Sequence, residues 1–136
     1  MKYKILDHTA DVMFECYGKN LNELFENSAI ATTDVMVSRR TVGKRIKKEI
    51  KIENKRIDSL LFDFLEELIY LKDAEELLFK EFKVSIKEGK LKAICSCEKI
   101  DREKHILKLD VKAVTLHKFE VRQVGKKWIA TFILDI

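Results

Sequence analysis

The chain has 136 residues, 46% of them apolar and 37% charged, and a formal net charge of +4. That is material for one domain of ordinary size, spanning 1–136, with a core of its own. No run of about 18 apolar residues occurs, which excludes a membrane-spanning helix. The start, Met1-Lys2-Tyr3-Lys4, lacks the apolar stretch of a signal peptide, so a cytoplasmic protein with no membrane partner is expected.

In chain order, residues 2–6 and 12–17 read as two short strands. Between them, Asp7-His8-Thr9-Ala10-Asp11 gathers two carboxylates, an imidazole and a hydroxyl into five residues. Gly18 breaks the pattern, and Asn20 with Glu23 three residues on is a capping-box arrangement. A helix is therefore predicted over about 20–36, with Leu21, Leu24, Phe25, Ser28, Ala29 and Thr32 recurring at helical spacing. Residues 38–44 are a polar loop ending in Gly43. From Ile46 to Glu53 the residues alternate as a strand with one wet face. A second helix opens at Asp58 or Ser59 and runs to about Leu71, with Leu60, Leu61, Phe64, Leu65, Leu68 and Ile69 as its apolar stripe.

After Asp73 the period changes to two. Phe82, Val84 and Ile86 alternate, Glu88-Gly89 turns, and Leu91, Ala93, Cys95 and Cys97 alternate on the return, a hairpin. Residues 99–105 are a polar loop; strands are predicted at 107–115, 117–124 and 127–135, with a turn at Gly125-Lys126. The order predicts an α+β domain, two helices packed on mainly antiparallel β-sheet.

Charge is unevenly spread. Residues 39–56 carry nine basic groups against Glu49 and Glu53, whereas 58–76 carry seven acids against Lys72. The basic run is either a solvated loop and strand edge or a surface for RNA or an acidic protein. No aromatic interleaves with it, so base stacking has no platform there. Cys16, Cys95 and Cys97 have no metal-ligand spacing and read as buried free thiols.

The end of the chain is the natural partner of the Asp7–Asp11 stretch. An apolar run from Trp128 to Leu134 stops on Asp135 and the carboxylate of Ile136. Two adjacent negative charges at the tip of a buried strand repel and lose solvation, and a cation shared with Asp11 would compensate them. An all-oxygen set of this kind suits calcium, magnesium or manganese rather than zinc.

Five blocks, in order along nearly the whole chain, carry a resemblance. They are His8-Thr9-Ala10-Asp11, Tyr17 to Asn27, Leu60 to Asp73, Val111 to His117, and Asp135-Ile136. On these the chain resembles the archease family. Phe64, Glu66, Leu116 and Lys118 stand where the family pattern has Trp, Asn, Tyr and Gly. The resemblance implies a non-enzymatic protein cofactor of the RtcB-type RNA ligase of tRNA splicing. Such a protein promotes guanylylation of the ligase's active-site histidine and restores stalled ligase to turnover, meeting tRNA through the ligase. The implied metal site falls on Asp11, Asp135 and Ile136, and the implied functional lysine on Lys112. His8 reads as a structural hydrogen-bonder, Asp7 as a brace or outer-shell group, and His105 and His117 make no stronger case. The alternative is an independent metal-dependent phosphoryl-transfer or hydrolytic enzyme using the same acids. Against it, the chain has no phosphate-cradling Gly-rich loop and no Ser–His or Cys–His nucleophile signature.

Overall fold

A computed structural model describes residues 1–8 and 11–136, apart from the side chains of Asp7 and His8. The elements run β1 (Tyr3–His8), β2 (Asp11–Gly18), α1 (Leu21–Met36), β3 (Ile46–Glu53), α2 (Ile57–Glu75), β4 (Leu77–Lys87), β5 (Lys90–Lys99), β6 (Ala113–Val124) and β7 (Lys127–Asp135), with a 3₁₀ turn at Arg39–Thr41. The strands form two antiparallel sheets, ordered β1-β2-β7-β6 and β3-β5-β4. The predicted α+β class, two helices on antiparallel sheet, is the architecture observed. No helix among the described residues is long and apolar enough to cross a membrane.

Helix α1 packs on β2 and β7 of one sheet and on β4 of the other. Contact on both sides explains why α1 is buried over far more than a stripe, Asn27, Ser28, Thr32 and Thr33 included. Those polar groups are satisfied locally. Ser28 Oγ donates to the Leu24 carbonyl, Thr32 Oγ1 to that of Ser28 and Thr33 Oγ1 to that of Ala29, while the Asn27 amide reaches the Tyr17 carbonyl. The cap forms as expected at Asn20, whose Oδ1 accepts from the Glu23 N–H at 2.9 Å; Glu23 reaches back one residue further, to the Lys19 N–H. Gly18 is needed where β2 hands over to α1, since a Cβ there would lie 2.4 Å from the Leu24 nitrogen.

Two lines of phenylalanines lock the layers. Phe14, Phe132, Phe119 and Phe62 join the first sheet to α2, with centroids 5.5–6.2 Å apart. Phe25, Phe64, Phe82 and Phe79 join α1, α2 and the second sheet at 5.6–6.5 Å. Such pairs contribute roughly 0.5–1.5 kcal/mol each beyond their area burial.

Three predicted elements need correction. Helix α2 runs past Leu71 to Glu75 and stops where Glu76 takes up a left-handed conformation, φ 54°, its N–H returning to the Leu71 carbonyl. The strands expected at 107–115 and 117–124 are not separate. A single strand β6 begins at Ala113 and is bulged between Thr115 and Glu120, with Lys118 at φ 57°. Residues 106–109 serve instead as a strap over the end of α1. The Lys108 N–H donates to the Met36 carbonyl, the Leu109 N–H to that of Val35 and the Lys108 ammonium to that of Asp34. A helix leaves its last carbonyls without partners, and the strap supplies donors for three of them.

Candidate functional site

Strands β2 and β7 pair along their whole length, and the register puts Asp11 directly opposite Asp135. Their alternation is strict. Val12, Phe14 and Cys16 on β2, and Ala130, Phe132 and Leu134 on β7, are buried against the helices, so Asp11 and Asp135 share the other, solvent-facing side. Directly opposite residues have Cβ atoms about 4.5–5.5 Å apart, and like charges in that position repel. On its far side Asp135 pairs with Ala113 of β6, so the acids close one end of a three-strand row. Ile136 follows, its side chain partly buried against the core.

Lys112 stands one residue before β6 rather than inside a strand. Its N–H donates to the Asp135 carbonyl at 2.8 Å, and its side chain is exposed. The register thus brings Asp11, Lys112 and the adjacent Asp135 and Ile136, from three distant stretches of chain, to one end of one sheet. Two carboxylates and the Ile136 main-chain carboxylate are hard-oxygen donors, and a divalent cation fits their crowding. Among the described residues no group of three His, Cys, Asp or Glu side chains stands together as a metal site. Thr9 and Ala10, and the side chains of Asp7 and His8, lie outside the described residues.

Sequence reasoning missed Lys72. Its side chain is only 11% exposed, and its ammonium pairs with Asp73 and Asp110 and donates to the Val111 carbonyl at 2.9 Å. It ties the backbone just before Lys112 to α2. The signal was present, since Lys72 is the lone base in an acidic segment.

The other candidates resolve differently. Six of the nine bases in 39–56 pair with carboxylates: Arg39 with Asp34, Lys44 with Glu81, Arg45 with Glu98, Lys48 with Glu75, Lys51 with Glu49 and Arg56 with Asp58. That is the pattern of a solvated, self-neutralised surface. The thiols are buried as expected, and burial pushes Cys16 and Cys95 up to about 12, so neither is a nucleophile near neutral pH. His105 is structural. Its Nδ1 accepts from the Asp101 N–H, which leaves the proton on Nε2 to bond Glu98 at 2.6 Å. His117 lies exposed in the β6 bulge.

Residues 3–136 match the model of the archease protein family (MTH1598/TM1083). Protein archease of Pyrococcus furiosus is 42% identical over 135 residues, covering 96% of this chain and 95% of that one. Protein archease of Archaeoglobus fulgidus is 38% identical over the full length of both. Among solved structures, Methanobacterium thermoautotrophicum protein 1598 superposes with a TM-score of 0.88 at 36% identity, covering 98% of each chain. The Thermotoga maritima archease, described as a possible chaperone, shares the fold at a TM-score of 0.68 and 18% identity, over 98% of this chain and 96% of that one. The chain belongs to the archease family.

Proposed function

We propose that this protein is a non-catalytic cofactor of an RtcB-type RNA ligase, promoting guanylylation of the ligase histidine through a divalent cation, calcium first, held at Asp11, Asp135 and the Ile136 carboxylate. The observation that carries this reading is the β2–β7 register, which sets two carboxylates opposite each other at an exposed sheet end. A cation there would offset their repulsion and offer positive charge to nucleotide phosphates during transfer. Lys112, held beside Asp135 through its N–H, supplies a second positive charge that meets phosphate or steadies the acids. The description of a family member as a possible chaperone agrees with a role in serving another protein.

The test is histidine guanylylation by purified ligase, with and without this protein. Asp11→Ala and Asp135→Ala should fold and fail to stimulate. Each relieves a like-charge pair, so cation-free stability should hold or rise by at most about 1 kcal/mol. Folded variants with full stimulation would remove the site from the reading. GTP hydrolysis or RNA joining by the protein alone, lost in Asp11→Ala, would instead favour an independent phosphoryl-transfer enzyme.

A further inference from the structure

Strand β1 ends its sheet, and α1 is centred on the neighbouring strands β2 and β7, so β1 overhangs the helix. Beneath the overhang lies a cavity of about 480 Å³. Its floor is Val12, Phe14, Ala31 and Val35, all buried. Its walls include Ile5 and Leu109, 55% and 42% exposed, so the groove presents apolar surface to water. Three cations stand at its rim, Arg39, Arg40 and Lys108, against one carboxylate, Asp34. Asp34 is already committed, one oxygen to the Tyr3 hydroxyl at 2.7 Å and the other to Arg39 at 2.6 Å. Arg40 is exposed and has no carboxylate partner among the described residues.

The two outer edges on the helix side are treated differently. On β4, the N–H groups of Val84 and Ile86 are taken by Glu26 and Asn22 of α1. On β1 no strand lies beyond Tyr3–Ile5 among the described residues. A sheet edge running along a groove beside a helix is the geometry in which proteins accept an extended peptide as an added strand, backbone bonds giving affinity and the groove reading alternate side chains. The bulge between Ile5 and Asp7 limits the regular edge to a short stretch.

From this juxtaposition we infer that the β1–α1 groove docks a short extended segment of a partner protein, an apolar side chain flanked by Asp or Glu. The apolar side chain enters between Ile5, Phe14, Val35 and Leu109, and an acid meets Arg40 and Lys108. A second copy is disfavoured by charge, because its β1 would bring Lys2 and Lys4 against the same cations. The assignment is independent of the cation site and of ligase activation.

The test is amide NMR of the full chain titrated with a blocked peptide, Glu-Asp-Val-Phe-Glu-Asp, and with Lys-Lys-Val-Phe-Lys-Lys and a six-nucleotide uridine RNA. The acidic peptide should shift the amides of Tyr3, Lys4, Ile5 and Arg40, and the basic peptide should not. Arg40→Glu should weaken the acidic peptide about tenfold, the scale of one charge-assisted contact. Ile5→Asp, at an exposed position, should abolish binding and serves as the second variant should Arg40→Glu misfold. Absence of shifts, equal binding of the basic peptide, or RNA shifting these amides in place of the acidic peptide would overturn the inference. Shifts of the same amides on raising protein concentration alone would overturn it in favour of self-association.

Discussion

Glu98 is 4% exposed and surrounded by donors: the Gly43 N–H at 2.7 Å, Lys104 at 2.9 Å, His105 at 2.6 Å and Arg45 at 3.3 Å. Burial alone would raise its pKa, but Lys104, the Gly43 N–H and His105 outweigh it and hold the carboxyl at about 2. The folded value lies below the unfolded one, near 4.3. The stabilisation is therefore fully present above the unfolded value and is lost as pH falls toward 2. Glu98→Gln should cost about 2–3 kcal/mol at neutral pH, because an amide NH₂ would face Lys104 in a site closed to water. Denaturant unfolding from pH 7 to pH 2 should show the gap between wild type and variant closing on the acid side. A gap constant with pH would remove the charge from the account.

At the scale of elements, the segment from Ile106 to Lys112 joins the end of α1 to the acid row. It closes α1 through Lys108 and Leu109, is tied to α2 by Lys72, and reaches β7 through the Lys112 N–H. Lys72 is thus a positioning residue for Lys112. Lys72→Ala should lower stability by about 1–2 kcal/mol through the lost pairs with the exposed Asp73 and Asp110 and one lost carbonyl bond. Its distinguishing effect is local. Amide exchange at Lys112 should accelerate while amides in the β2–β7 ladder keep their protection, and a uniform acceleration would show only a loss of global stability.

Over the whole molecule, the proposed cation site calls on a main-chain carboxylate at Ile136, just past β7. Adding one residue after Ile136 moves the terminal charge by about 3.3–3.6 Å, well beyond the few tenths of an ångström that a metal–oxygen bond tolerates. A C-terminal Gly should therefore abolish calorimetric calcium binding and ligase stimulation while leaving the cation-free unfolding midpoint unchanged, since Phe132 and Leu134 still anchor β7. An N-terminal extension, placed before β1, should be far better tolerated. Calcium at 100 times its Kd should stabilise the unextended protein by about 2.7 kcal/mol and the extended one by nothing. Equal stabilisation of both would redraw the site around Asp11 and Asp135 alone.

The sequence by itself determined the elements whose side chains answer to local rules. The Asn20 cap, the alternation of 46–53 and of 127–135 and the Glu88-Gly89 turn all lie where pattern placed them, because capping, pleat and turn chemistry act over a few residues. The acids and Lys112 were also legible as residues, through the order of their motifs. Their adjacency was not, because strand register is a long-range property: Asp11 meets Asp135 only once β7 inserts between β2 and β6. Residues 107–112 failed as a strand for the same kind of reason. Their alternation suits an extended chain, but the unsatisfied carbonyls of Asp34, Val35 and Met36 claim the donors of Lys108 and Leu109, and only the packed structure places that helix end beside them. The basic run was open in sequence between a solvated edge and a binding surface, and the choice came only when folding brought Glu75, Glu81 and Glu98 against it, since charge pairing is decided by distance in space rather than along the chain.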